Sequence, residues 1–177
     1  MSDAELRYPI GKFQPIEKIT EESRKQFISQ IQQTPGKLRA AVGGLSREQL
    51  GTPYRDGGWT VQQVVHHLPD SHMNAYTRFK LALTEDEPTI KTYNETRWAE
   101  LSDSRTTPIE TSLSLMDALH ERWVNLLRGM SAADFSRKIN HPEWGVISLD
   151  QTLALYAWHG RHHVAHITNL RDRKGWK

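Results

Sequence analysis

The segment YAWHGRHHVAHITNL, residues 156–170, holds four of the nine histidines of the chain within eight positions. Clustered imidazoles are useful mainly for binding a metal ion or for moving protons. The apolar residues of the segment recur at helical spacing. At about 100° per residue, this apolar face passes through His163, with His159 at its edge one turn earlier. His162 and His166 are also one turn apart but lie further toward the polar side. The spacing therefore predicts that His159 and His163 point into the protein.

Two imidazoles leave a cation short of ligands, so a third ligand should come from another helix. The segment GWTVQQVVHHLPDSHMNAYTRF, residues 58–79, has an apolar stripe and a second, polar stripe that includes His67. Such a polar stripe either is solvated or lines an internal cavity. Pro69 kinks a helix beside His67, which favours the cavity. On the other helix, Gly160 removes bulk between the inward histidines and lets a neighbouring helix or a ligand approach.

Helix start signals recur along the chain and predict an all-α protein. Thr34-Pro35 matches an N-cap with a proline at the first helical position, so a helical segment is predicted to open there. Thr20, which precedes two glutamates, is another start signal. There are also three capping boxes: Thr60 with Gln63, Thr107 with Glu110, and Ser148 with Gln151. Together these signals predict four long helices.

Strand signals are confined to residues 138–147, where the turn-like HPEWG predicts a short β-hairpin. Residues 84–107 form a long polar connection without a sustained apolar stripe, and connections of this length are often functional covers over a site. The architecture that fits is a four-helix bundle with a long crossover connection. We predict a single domain over residues 1–177.

Charge and composition argue against several classes of function. The chain has 23 Lys and Arg against 21 Asp and Glu and no basic block, so nucleic acid is not the expected partner. No apolar run approaches the roughly 20 residues that span a bilayer, and MSDAELRYPIGKF lacks the pattern of a secretory signal. A cytoplasmic protein without a membrane partner fits best. Cysteine is absent, so a bound metal must be held by nitrogen and oxygen ligands.

Other interpretations of these histidines are open at this point. A single histidine is more often a hydrogen-bonded core or surface residue than a ligand, and a lone H-x-x-x-H pair on a helix is more often structural. The H-E-x-x-H pattern of zinc peptidases is missing. Di-iron bundles use inward carboxylates paired with histidine, which neither histidine-rich helix supplies.

The sequence resembles the DinB-like superfamily, and most closely its YfiT branch. The resemblance rests on WTVQQVVHHLPDSHMN and YAWHGRHHVAHI, and extends to LRYPIGKF, RFKLALTEDEPTIKTYNETRWAEL and HPEWGVISLDQTLALYAWHGRHH. It implies a four-helix bundle with one zinc or nickel ion per subunit, held by His67, His159 and His163. It also implies a homodimer. The chain departs from the family at Pro69, where close relatives tend to carry a small helix former.

The resemblance implies an enzyme and leaves two reactions open. Three neutral histidines leave a fourth position on zinc, where a water becomes a nucleophile for hydrolysis of a small-molecule amide or ester. A low-molecular-weight thiol such as bacillithiol would be deprotonated there and transferred to an electrophile. A third alternative is a metal-binding bundle without turnover. Of these alternatives, bacillithiol S-transfer is the leading prediction. Candidates for contacts with the metal ligands or with the substrate are His66, Asp70, Asn74 and Arg78.

Overall fold

The computed structural model describes residues 2–176, and four long helices form its frame. The elements in chain order are α1 (Asp3–Arg7), α2 (Glu21–Val42), α3 (Arg47–Leu50), α4 (Val61–Thr84), α5 (Glu95–Ala99), α6 (Ser102–Thr106), α7 (Ile109–Gly129), α8 (Ala132–Phe135), β1 (Lys138–His141), β2 (Gly145–Ser148) and α9 (Leu149–Lys174). The predicted four-helix bundle is confirmed, with α2, α4, α7 and α9 as its members. The predicted hairpin is also present as the antiparallel pair β1 and β2.

The apolar core of the bundle is divided into two clusters. One is centred on buried residues such as Phe79 and Trp123, and the other on residues such as Val64 and Met116. The clusters occupy different ends of α4, α7 and α9. Between them, buried histidines interrupt the apolar packing. The bundle therefore carries a polar layer across its middle.

One predicted helix start is wrong, and at another the helix begins as predicted but without its capping box. Helix α2 runs without a break through Pro35, and the Thr34 hydroxyl donates to the carbonyl of Gln30 instead of capping a new helix. Helix α7 begins after Pro108 without a side-chain cap, because Thr107 ends the short helix α6. Most helical stability comes from tertiary packing, which a local capping pattern does not register, so α2 continues through a sequence that matches a helix start.

The other start signals are present in the structure. Thr60 and Gln63 form the reciprocal capping box that opens α4, and the Thr20 side chain caps α2. Ser148 caps α9 as predicted, but the Gln151 side chain binds the backbone of Ile16 instead of completing the box. That contact attaches the segment before α2 to the start of α9.

The long connection between α4 and α7 is ordered by contacts with the hairpin. It contains α5 and α6, and its residues 88–90 exchange backbone hydrogen bonds with Asn140 of β1, at 2.9 and 3.1 Å. The connection and the hairpin therefore form one wall beside the bundle. Over residues 2–176, the helices are too short or too polar to cross a membrane.

Candidate metal centre

Three histidines converge where α4 and α9 face each other. His67 comes from α4, and His159 and His163 come from successive turns of α9. One ring nitrogen of each lies within 4.8 Å of the other two. The Nε2 atoms of His67 and His159 are 3.3 Å apart. The structure thus brings together the three residues that the family resemblance implies as metal ligands.

Burial keeps these three imidazoles neutral. It lowers the pKa of His67 to about 3, with the neighbouring His162 and His166 adding to the effect. Burial is also the main cause that lowers the pKa values of His159 and His163 well below their ordinary range. A neutral imidazole keeps a nitrogen lone pair, which is the form that binds a cation.

The donor set fits a divalent cation. Nδ1 of His163 is buried and has no hydrogen-bond partner among residues 2–176. Buried polar atoms are normally paired, and Nδ1 of His162 and of His166 is also unpaired, so this face of α9 holds several imidazole nitrogens without a partner among the described residues. Three imidazoles without a thiolate are a known zinc donor set that leaves a position for a further ligand. In the part of the chain that the structure describes, these three form the one group of potential ligands with such spacing.

The close approach predicted at Gly160 is made by helix α2. A Cβ atom at Gly160 would lie 2.7 Å from Oγ1 and 2.8 Å from Cγ2 of the buried Thr34. Only glycine allows α2 to pack this closely against the turn of α9 that lies between His159 and His163. The glycine therefore sets the position of the helix that carries two of the three histidines.

Pro69 lies inside α4 without ending the helix. Helix α4 continues from Val61 to Thr84, and Pro69 is buried. The proline removes one backbone hydrogen bond two residues after His67. His67 still reaches the cluster, so this departure from the family pattern leaves the three-histidine arrangement in place.

The cluster opens onto a cavity of about 980 Å³ to which His159 and His163 contribute. This volume is typical of small-molecule sites. Trp59 shields one side, with its ring centroid 4.6 Å from that of His67. The rest of the wall comes largely from segments outside the four long helices, including Tyr8 and Phe13 near the N-terminus, Tyr93 and Glu95 of the long connection, and Trp144 of the hairpin. The long connection thus lines the site, in agreement with its predicted role as a cover.

Of the four additional candidates on α4, Arg78 alone is among the residues that line this cavity. His66 bonds instead to the Ser112 hydroxyl at 2.7 Å and to the Thr107 carbonyl at 3.0 Å, away from the cluster. The Asn74 amide donates to the backbone carbonyl of Asp70, which is one turn earlier on the same helix. Burial, together with the charge of Asp103, raises the pKa of Asp70 to about 6. The structure therefore brings neither His66, Asp70 nor Asn74 to the cavity wall.

The prediction that His162 and His166 lie toward the polar side of α9 is wrong. Both are buried, because the N-terminal segment and the loop before α4 cover this face. Nε2 of His166 lies 3.1 Å from the carbonyl oxygen of Arg7, and its ring stacks on Tyr54. The ring of His162 stacks on Trp158. A helical projection of α9 alone could not include these covering segments.

Two further buried histidines were not predicted from the sequence to belong to the site. His72 and His120 are 0% and 2% exposed and connect to His159 through hydrogen bonds. The available signal was position, since each histidine lies on an otherwise apolar stripe of its helix. His72 follows Leu68 by one turn, and His120 precedes Trp123.

A helical bundle with three clustered histidines beside a cavity defines a class of metal-binding four-helix bundle proteins. Comparison with known proteins identifies the family: the profile of the DinB superfamily matches residues 30–167. The chain belongs to this superfamily, and the relatives described below place it in the YfiT branch.

The relatives match over almost their whole length. A Bacillus mycoides protein named "putative metal-dependent hydrolase" is 55% identical over 97% of this chain and 99% of its own. A Bacillus cereus protein with the same description shows the same identity and coverage. The solved structure of YfiT from Bacillus subtilis, described as a probable metal-dependent hydrolase with an unusual four-helix bundle topology, superposes with a TM-score of 0.95. It is 50% identical and covers 98% of this chain and 99% of its own.

A more distant structure shares the fold alone. TT2238, a four-helix bundle protein, superposes with a TM-score of 0.58 at 17% identity. It covers 80% of this chain and 94% of its own. The close relatives support an enzyme that depends on a metal, and the three-histidine cluster supports a divalent cation as that metal.

Proposed function

We propose that the protein is a metal-dependent S-transferase that joins a low-molecular-weight thiol, bacillithiol, to an electrophilic small molecule. His67, His159 and His163 hold the cation. A divalent cation at these nitrogens would lower the pKa of an incoming thiol, so that the thiolate is present at neutral pH. The chain has no cysteine, so the thiol must be supplied as a substrate. Zinc or nickel and a homodimer are further predictions of the family resemblance, and a cytoplasmic location is predicted from the composition of the chain.

The observation that carries this proposal is the environment of Arg78 in the same cavity. Arg78 is 9% exposed, and its guanidinium donates to two neutral acceptors, the Tyr156 hydroxyl at 3.5 Å and the Lys91 carbonyl at 3.3 Å. Within residues 2–176, no carboxylate lies within 4.0 Å of it, although Glu95 and Glu143 line the same cavity.

Burial raises the pKa of Glu95, and the charge of Arg78 lowers it by a smaller amount. With no carboxylate within 4.0 Å, the buried guanidinium favours an anionic group on the ligand. The malate part of bacillithiol supplies carboxylates that suit such a site. Tyr156 bonds to Arg78, and its ring centroid is 5.5 Å from that of His159. Arg78, Tyr156 and His159 line one cavity, so a single ligand in it can contact both the guanidinium and the histidine cluster.

The test is conjugation of bacillithiol to monochlorobimane, in which a carbon–sulfur bond forms and chloride leaves with its electron pair. The protein should accelerate this reaction, a chelator should abolish the acceleration, and zinc or nickel should restore it. Arg78→Met should lower kcat/KM by about 10- to 100-fold, the loss of one charged hydrogen-bonding contact. Arg161→Met is the matched control, because Arg161 is exposed on α9 and is not among the residues that line the cavity.

A second candidate, hydrolysis, is favoured by the names of the close relatives. It predicts cleavage of an ester or amide that needs the metal but no thiol. If no thiol is consumed while such a cleavage is found, the S-transferase proposal is wrong and the hydrolase replaces it. If metal binding is found without either reaction, the non-catalytic alternative stands.

A further inference from the structure

A hydrogen-bonded chain of histidines begins at His159 and crosses the bundle. Nδ1 of His159 lies 3.1 Å from Nε2 of His72, and Nδ1 of His72 lies 2.8 Å from Nε2 of His120. Nδ1 of His120 lies 2.7 Å from the main-chain carbonyl oxygen of Ile31. The chain thus runs from α9 through α4 and α7 to α2.

The last member fixes the direction of every hydrogen bond in the chain. A carbonyl oxygen can only accept, so Nδ1 of His120 carries the proton that binds Ile31. A neutral imidazole has one donor and one acceptor nitrogen. Nε2 of His120 therefore accepts from Nδ1 of His72, and Nε2 of His72 accepts from Nδ1 of His159. The remaining nitrogen of His159, Nε2, keeps its lone pair, and this is the atom that faces Nε2 of His67.

The carbonyl of Ile31 is available because of Pro35. In a regular helix that carbonyl would accept from the amide of residue 35, and proline has no amide hydrogen. Pro35 lies inside α2, four residues after Ile31. The mid-helix proline thus supplies the free acceptor to which the chain of histidines is attached.

The rings are held in place by their surroundings. The rings of His72 and His120 are nearly parallel, with centroids 4.9 Å apart, and the ring of Trp123 meets that of His72 edge-on at 90°. Two histidines in an apolar core must both be hydrogen-bonded to offset the cost of burial, and a pair of aliphatic residues would avoid that cost. Their presence therefore favours a role beyond packing.

We propose that His72 and His120 are positioning residues that hold His159 in the orientation and tautomer in which Nε2 faces the metal centre. Outer partners of this kind fix the ring of a metal-binding histidine and raise its basicity. This inference rests on the metal centre of the proposed function. It adds to that function two residues that touch neither substrate nor cation.

The first measurement is the zinc affinity of variants, by competition with a chromogenic chelator. His72→Leu should weaken zinc binding by about 10- to 100-fold, the usual effect of losing such a partner. His72→Gln should recover part of the affinity, because its amide oxygen can still accept from Nδ1 of His159. His66→Leu is the matched control. It also removes a buried, doubly hydrogen-bonded histidine from α4, but one that is not connected to the cluster.

The second measurement is nitrogen NMR of the metal-free wild-type protein labelled at histidine. It should show the proton on Nδ1 of His72 and His120, and it needs no variant that could fail to fold. Zinc affinity in His72→Leu equal to that of the wild type, or a proton on Nε2 of His72, would overturn the inference. If the wild type binds neither zinc nor nickel, the metal centre itself fails and with it the role of the chain, whatever the tautomers are.

Discussion

At the scale of single residues, the five histidines of α9 and α4 that cluster together differ in what engages each ring. His162 and His166 are buried against aromatic rings and a backbone carbonyl, whereas His67, His159 and His163 turn nitrogens toward one another. Replacing any of the last three by Ala should weaken metal binding by more than about 100-fold, beyond the effect of losing an outer partner.

Metal analysis of the purified variants checks this ligand set. His162→Ala and His166→Ala are the controls and should keep stoichiometric metal, since neither belongs to the group of three whose nitrogens lie within 4.8 Å of one another. A His162→Ala protein that lost its metal while remaining folded would show that the ligand set is different.

Residue-level features of α9 and α4 could be predicted only in part. The inward direction of His159 and His163 follows from helix periodicity, and the role of Gly160 follows from its missing side chain. The burial of His162 and the connection of His72 to His120 could not be predicted, because they depend on segments distant in sequence. A hydrogen bond between two helices has no signature in either helix alone.

The contact between helices α2 and α9 leaves no room for a side chain at Gly160. Gly160→Ala would place a methyl group against Thr34. We expect a loss of about 1–3 kcal/mol from this overpacking, reduced by about 1 kcal/mol because alanine favours the helix. Urea unfolding measures the difference.

Gly36→Ala is the matched control for this substitution. Gly36 lies inside α2, and a Cβ atom there meets nothing within 4 Å. The change should therefore stabilise the protein by about 0.5–1 kcal/mol. Equal effects of the two substitutions would contradict the close approach at Gly160.

The ends of helices and strands could be predicted where local hydrogen bonds set them, but not where packing against distant segments sets them. The capping box of Thr60 and Gln63 and the hairpin turn are local, and both are present. Pro35 matches a helix start locally, but α2 packs against α9 and α7 and continues as one helix through the proline. The carbonyl of Ile31, which lacks an amide partner because of Pro35, accepts a hydrogen bond from His120 instead.

The neutral, buried histidines lower the free energy of unfolding of the protein in acid. Burial lowers the pKa values of His67 to about 3 and of His120 to about 4, and those of His72, His159 and His163 are also well below their ordinary range. In the unfolded chain these groups take up protons near pH 6.5. Below that pH the unfolded state binds more protons than the folded state, so stability falls as the pH falls.

The metal-free protein should therefore lose stability steeply between pH 6.5 and pH 5. Each such histidine contributes up to about 1.4 kcal/mol per pH unit. Urea unfolding at a series of pH values gives the slope of the free energy of unfolding against pH. His120→Leu should reduce that slope by up to about 1.4 kcal/mol per pH unit, the contribution of one proton. A stability that stays constant from pH 7 to pH 5 would contradict the neutral, buried state of these histidines.

The division between the bundle and its surrounding segments has a consequence for how such proteins diversify. The candidate cation ligands lie on two long helices, while much of the cavity wall belongs to the N-terminal segment, the long connection and the hairpin. Insertions and replacements accumulate most easily in peripheral segments of this kind. Proteins that descend from one ancestor can therefore change the substrate they accept through these segments, while the histidines on the long helices stay the same.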